Sequence, residues 1–499
     1  MLPQAILSIV AVAIVVAIAA YGFSTRGYLV HLALVLAPLV VFLVGRPDLW
    51  LALVIGIVHS QLIIPGLPTG LHVAHILMAG LLATLIARGS IRKELARKRT
   101  WSDLFLLMFL GVLAMTAYVR GFGFRAFGAE SWGGMSYLKL FITGGLLLAA
   151  KSISLSEHLL RRALYMMLAF SLLPAVAQVV FLLSGGQIYH QYLFIEPYIG
   201  GLIQSLEALD TGGAARFHAL GGVSASLLMI TFILVDRSTP ASKLLFGLLI
   251  AASAIMAGLS GFRARLLYVV AMLFTVGMIE GDRIRWGRFW FGIAILIISI
   301  AGLYVAAPNL PSSIQRAISW LPNINIPFVI KLEANLSTTT RLLVWELAWN
   351  EVPQYLLIGK GFTINPNELF SPSVRSDWVL SSFVGHNYHS GPLSLLLDTG
   401  LFGFLFGSLF MVLTCVEMFR SRRLLIGGGV ARRAYLFLLA NHIFGVLSYY
   451  LIFGDVRESF PAMFVNLMMM HAILNSNRSP SSGPPQSVET GNFRRVIIS

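Results

Sequence analysis

Long apolar stretches recur through this chain from Ala5 to Leu474, and that recurrence constrains its fold more than any other feature. A helix needs about 20 apolar residues to cross a hydrocarbon core, because each residue advances about 1.5 Å. Lipid offers the backbone no hydrogen-bond partner, so a spanning segment must satisfy itself as a helix or within a closed barrel. Barrel strands are short and alternate in polarity, whereas these runs are continuous, so they read as helices. About fourteen spans are expected on this criterion. They lie near residues 4–23, 28–45, 47–64, 71–88, 103–119, 136–150, 160–183, 219–235, 243–259, 264–280, 289–307, 392–416, 433–453 and 458–474. Only Gly45-Arg46-Pro47-Asp48 separates the second from the third, which leaves open one broken or re-entrant element there. Composition agrees: 57% of residues are hydrophobic and 11% charged, against about 25% charged in a soluble protein. The fold expected is an all-α polytopic membrane protein with about 12–14 transmembrane helices over residues 1–476.

Charge orients the spans. The net charge of +15 would suggest nucleic acid in a soluble chain. Here the Lys and Arg residues sit mainly in short loops, so the positive-inside rule and anionic lipid headgroups account for them, and no nucleic-acid partner is expected. Residues 88–99 (RGSIRKELARKR) are the most basic loop and are assigned to the cytoplasm. Alternating from there makes residues 151–162, 236–243, 282–288 and 420–433 cytoplasmic as well; each contains Lys or Arg. Both termini then fall in the cytoplasm. The first apolar run lacks a basic leader and a cleavage site and is read as a retained helix. The lone Cys415 excludes an intramolecular disulfide. Residues 477–499, polar and rich in Ser and Pro, are expected to be a disordered cytoplasmic tail.

The opposite face carries residues 185–218, a tight turn at 260–265, and a large loop segment at 309–390 between two late helices. A loop of that length is usually a lid or platform, and a helix is expected near residues 341–350, where Leu342, Trp345 and Ala348/Trp349 recur at helical spacing. Positive-inside logic disfavours arginine on this face. Arg216, Arg263, Arg265 and Arg341 nevertheless sit there, in three separate segments. Each alone reads as an ion pair with an acid or a lipid headgroup. Several converging on one pocket would suit a diphosphate, which the planar guanidinium fork grips bidentately. His386 and His389 precede an apolar helix that begins around Gly391-Pro392. A helix N-terminus disfavours imidazolium, so a neutral histidine there can accept a hydroxyl proton; the alternative is an interfacial histidine bonded to backbone. The HxxH spacing also fits a metal pair, but a third ligand would have to come from His190 or His218 in a distant loop, so no metal is assigned.

At these residues the chain resembles the bacterial O-antigen ligase and O-antigen polymerase superfamily. HSGPLSLLLDTGLFG is similar to the family's histidine, apolar helix, acid and closing Gly-x-x-Gly, with His389, Asp398, Gly400 and Gly403 in place. His386-Asn387 matches the family's His-Asn dipeptide but sets the glycines three residues too far, so His389 is preferred and His386 kept second. TTTRLLVWELAWNEVPQYLLIGKGF resembles the family's Arg-x-x-x-Trp helix running to Gly-x-Gly, through Arg341, Trp345, Gly359 and Gly361. GLSGFRARLL resembles its Ser-Arg-Gly turn at Arg263, with Ala264 in the glycine position, and ARFHALGGVSAS resembles its outer loop at Arg216, without the usual Asn-Pro-Asn.

The resemblance covers roughly the second half of the chain. It implies a metal-independent, inverting glycosyltransferase of the bacterial inner membrane, with no cofactor and its site facing the periplasm. The donor would be a glycan on undecaprenyl diphosphate. The acceptor would be a lipid A-core sugar or another lipid-linked glycan, in a setting of lipopolysaccharide or exopolysaccharide biosynthesis. His389 would be the base, and Arg216, Arg263 and Arg341 would hold the diphosphate. Ligase and polymerase are not separated by these motifs. A secondary transporter or lipid-linked glycan flippase is the competing reading; it would place ionisable groups near the bilayer midplane. A scaffold of an export complex is the third, and would need no cluster of Arg and His.

Overall fold

A computed structural model of the chain describes residues 45–58, 72–89, 100–124, 131–184, 216–279, 286–425 and 429–478, with Leu43, Ser60 and Leu62 beside them. The spans at 4–23 and 28–45, residues 90–99, most of the 185–218 loop and the tail from 479 fall wholly or largely outside the described residues. The remaining spans are each met by a helix. These are α1 (Pro47–Ile57), α2 (Val73–Ala87), α3 (Trp101–Arg120), α4 (Gly134–Ala149), α5 (Glu157–Leu183), α6 (His218–Leu234), α7 (Pro240–Leu259), α8 (Arg263–Ile279) and α9 (Trp286–Ala306). Within the large loop segment follow α10 (Ser312–Ile318), α11 (Phe328–Tyr355), α12 (Pro366–Leu369), α13 (Pro372–Ser376) and α14 (Trp378–Val384), and then α15 (Gly391–Ser421), α16 (Val430–Leu451) and α17 (Val456–Arg478). Six helices among the described residues are long and apolar enough to cross a membrane; α1, α2 and α6 are apolar but shorter. The chain is an all-α polytopic membrane protein.

Local chemistry explains several boundaries. Thr100 caps α3 by accepting from Asp103 N, and Asp103 returns the bond to the Thr100 backbone. Thr239 and Ser242 close α7 in the same way, with Pro240 in the first turn. The final helix continues through Arg478, beyond the boundary read at 476, and Asn475 ties it to the carbonyls of Lys151 and Ile153. In lipid, apolar burial does little to bring helices together, so close packing and interhelical hydrogen bonds must do it. Ser224 of α6 and Ser253 of α7 bond each other's carbonyls reciprocally at 2.8 Å. Phe109 of α3 stacks on Phe460 of α17, and Phe410 of α15 meets Phe464 edge-on. Exposed Leu244, Leu248 and Ile255 on α7, and Ile297 and Ile298 on α9, give these helices apolar outer faces suited to lipid.

The two ends of the bundle differ. Lys151 pairs with Asp103, Ser102 Oγ donates to Glu417 at 2.6 Å, and Arg433 lies 3.6 Å from Asp236. The loops assigned to the cytoplasm by charge, where described, thus gather at one end. The segment from 309 to 390 builds the other, around an apolar core of Val344, Ala348, Val352, Phe383 and Tyr388 that Leu397 of α15 joins. The helix expected near 341–350 runs from Phe328 to Tyr355.

Candidate active site

The site is organised by a break in α15. Gly400 has φ 72° and ψ −178°, so the helix is interrupted about two and a half turns after it begins at Gly391. A break in a membrane helix frees backbone groups that lipid cannot satisfy. Here an extended segment following α11 takes them up: Lys360 N donates to Leu397 O (2.7 Å), Gly361 N to Asp398 O (2.9 Å), and Leu401 N to Leu356 O (2.6 Å). The approach is so close that a Cβ on Gly359 would sit 2.2 Å from the Asp398 carbonyl oxygen, and one on Gly400 2.7 Å from that of Leu357. Arg120 fastens the same segment from α3, donating to the carbonyls of Gly359 (3.0 Å) and Ile358 (3.3 Å). Gly403 makes room for the Thr399 side chain, and Gly361 takes a left-handed φ of 77°.

The break leaves Asp398 fully buried among polar side chains. His386 Nδ1 donates to Asp398 Oδ1 at 2.7 Å, and the Tyr388 hydroxyl lies 3.2 Å from the same nitrogen. Ser394 Oγ donates to Asp398 Oδ2 at 3.4 Å. His386, 1% exposed, is engaged in this internal hydrogen bond. His389 differs: it is half-buried, against the Phe453 ring at 5.4 Å. Both histidines adopt left-handed backbone conformations, φ 57° and 54°, which residues with a Cβ adopt only under support from their surroundings. Trp345 supplies some of that support, donating from its indole to Tyr388 O, between them, at 2.7 Å.

The arginines approach from the same side. The Arg341 guanidinium lies 5.9 Å above the Phe453 ring that His389 also contacts. Arg263 donates to Ala334 O, two turns before Arg341 on α11, at 3.2 Å. Arg216 lies over the ring of Phe262, the neighbour of Arg263, at 6.0 Å. Burial, then the charges of Arg263 and Arg216, push the Arg341 pKa down, so these guanidiniums sense one another. Arg341 remains cationic at neutral pH. The Arg265 side chain packs beside Gly221 of α6. Burial and Arg341 lower the His389 pKa to about 4, with Asp455 opposing them. At neutral pH His389 is an uncharged imidazole, and its Nδ1 has no hydrogen-bond partner among the described residues.

Some participants escaped the sequence reading. Arg316 on α10 is buried and pairs with Glu333 of α11 at 2.6 Å. Burial and the nearby charges of Arg216 and Arg263 take its pKa down to about 10, so it is a fourth guanidinium of the group. The logic that singled out Arg341 applied equally to Arg316, since both lie between residues 309 and 390. Phe453, Asp455 and Arg457, near the start of α17, carried no such signal. Among the described residues no three of His, Cys, Asp and Glu converge as a metal site would require.

Residues 246–408 match a family model described as O-antigen ligase. That stretch runs from α7 past the break in α15 and contains Arg263, Arg316, Arg341, Trp345, His386, His389 and the four glycines at 359, 361, 400 and 403. Arg216 and the start of α17 lie outside it. No curated protein matches the chain. Over that stretch the match supports the resemblance to the O-antigen ligase and polymerase superfamily.

Proposed function

We propose that the protein transfers a glycan from undecaprenyl diphosphate to an acceptor hydroxyl at the periplasmic face of the bacterial inner membrane, inverting the anomeric carbon, as an O-antigen ligase or a glycan polymerase. The family match over residues 246–408 supports glycan transfer between a lipid-linked donor and a glycan or lipid A-core acceptor in general terms. The observation that carries the finer reading is a neutral imidazole and a guanidinium against one phenyl ring, His389 and Arg341 on Phe453, beside further arginines. The acceptor hydroxyl gives its proton to His389 as its oxygen attacks the anomeric carbon. The bond from that carbon to the diphosphate breaks on the opposite face, and the leaving lipid diphosphate keeps the electron pair. Arg341, Arg263, Arg216 and Arg316 stabilise the charge that develops there, so the chemistry draws its positive charge from the protein.

A transporter would draw on ionisable groups midway through the bilayer; the arginines and His389 gather instead at one end of the bundle. The test is transfer by purified protein reconstituted with a lipid-diphosphate glycan and candidate acceptors. His389→Ala is expected to lower transfer about 10²–10⁴-fold, the range for loss of a general base, while still inserting. Arg341→Glu is expected to be more damaging than Arg341→Lys. Unchanged transfer in the histidine variant, or equal transfer in the two arginine variants, rejects the assignment.

A further inference from the structure

The entrance to the last helix carries a buried ion pair that this mechanism does not use. Arg457, in the first turn of α17, donates to the Asp455 carboxylate through Nε (3.2 Å to each oxygen) and Nη2 (2.7 Å). The same guanidinium reaches across to the histidine turn, with Nη1 on Gly385 O at 3.0 Å and Nη2 on His386 O at 2.8 Å. The two side chains are 16% and 10% exposed. A second bond joins the same elements: Val456 N donates to Ser394 Oγ at 3.2 Å, and Ser394 in turn bonds Asp398. A buried ion pair contributes little net stability compared with apolar residues of the same shape, because desolvation offsets its attraction. What it does supply is geometry. A planar fork committed to one carboxylate and two carbonyls fixes where those carbonyls stand, which a lysine ammonium cannot reproduce. The carbonyls in question belong to the turn that holds both left-handed histidines.

We propose that Arg457 and Asp455 are positioning residues for His389: a clamp from the last helix, outside the family-matched stretch, holds Gly385 and His386 so that His389 faces Arg341. The inference rests on the reading of His389 as the base. Asp455 also acts on that imidazole through its charge. The groups facing His389 are Arg341 from α11 and Phe453 and Asp455 from the turn before α17; Arg457 is paired with Asp455, and Asp398 of α15 is turned towards His386. Asp455 opposes the lowering by burial and Arg341, so its removal lets the imidazole pKa fall further.

The experiment compares full-length Arg457→Gln, Arg457→Lys and Asp455→Asn proteins in lipid nanodiscs. Transfer kinetics are measured, and the His389 imidazole is titrated by nitrogen NMR, with its signal assigned through His389→Gln. Arg457→Gln is expected to lower kcat about 100-fold, the scale of a displaced reacting group, with the donor KM within about twofold of wild type. Arg457→Lys restores part of the loss, and Asp455→Asn moves the His389 midpoint to lower pH. Wild-type kcat in Arg457→Gln overturns the proposal. So does an unmoved midpoint in Asp455→Asn, or a kcat loss that thermal melts attribute wholly to unfolded protein. If His389→Gln retains wild-type transfer, the base assignment fails, and the clamp is then decided by the His389 imidazole signal in Arg457→Gln, which shifts if Arg457 holds the turn and stays at its wild-type position if it does not.

Discussion

His386 and His389 lie three residues apart and meet opposite environments. His386 bonds a buried carboxylate, so replacing it by glutamine strands Asp398 in part; the expected cost is about 1–3 kcal/mol, the desolvation penalty of an unsatisfied buried group. Its signature is a lower melting temperature, with a catalytic loss that follows the loss of folded protein. His389→Gln should do the reverse, leaving the melt unchanged and removing transfer. Arg341 supplies a further test, through pH. Burial, and after it the Arg341 charge, hold the His389 pKa down, near 4. Without that charge the midpoint must rise towards the ordinary 6.5. The active form is the neutral one, so activity falls as pH drops through that midpoint. The residual transfer of Arg341→Gln should therefore lose its acid side at a higher pH than wild type, as a pH–rate profile will show. Part of this was legible in the sequence: the spacing to Gly400 and Gly403 singled out His389. The burial of His386 was not, because it depends on a left-handed turn and on Asp398 being swung inward by a helix break.

Among the elements, the helices were the most legible and the break in α15 the least. Apolar runs flank Asp398-Thr399-Gly400 on both sides, and glycine is common in membrane helices, so residues 392–416 read as one uninterrupted span. The partner that makes the break affordable is the segment from Leu356 to Gly361, about 40 residues earlier, and such non-local pairing leaves no periodic trace. The early half of α11 was missed for a different reason. Its KLEANLSTTT stretch is rich in residues that compete with helix. A tertiary contact supports it, Arg263 bonding Ala334 O, while within the helix Thr338 and Thr340 donate their hydroxyls to the carbonyls four residues back. The break yields a quantitative expectation. Gly359→Ala places a methyl group against the Asp398 main chain, which has no flexible end to move aside. It should cost more than about 3 kcal/mol, in the range of severe backbone and packing conflicts. Gly247→Ala, on α7 with nothing within 4 Å, should change stability by at most about 1 kcal/mol, and in the favourable direction. Thermal unfolding of the two variants in one detergent makes the comparison; similar melting temperatures would remove the break as a structural necessity.

Across the whole molecule, charge and shape separate the two ends of the bundle. One end gathers the basic loops around Asp103, Lys151, Asp236 and Arg433. The other holds α10 to α14, His389 and the arginines. Hydropathy and the positive-inside rule foresaw this division because both report on the solvent each segment meets, which is a local property. The convergence of Arg216, Arg263, Arg316 and Arg341 needed the fold, since their separation along the chain says nothing about distance in space. The division also makes the membrane orientation measurable. Cys415, in α15, is the sole cysteine of the chain. A Cys415→Ser background therefore reports cleanly on any single cysteine introduced elsewhere. Ser373 on α13 is exposed at the site end, and Ala241 at the start of α7 is exposed at the basic end. If the site faces the periplasm, a membrane-impermeant maleimide applied to intact spheroplasts should label Ser373→Cys and spare Ala241→Cys until the membrane is opened. The opposite pattern would place the arginines and His389 in the cytoplasm, where positive-inside logic would explain the basic residues without any diphosphate.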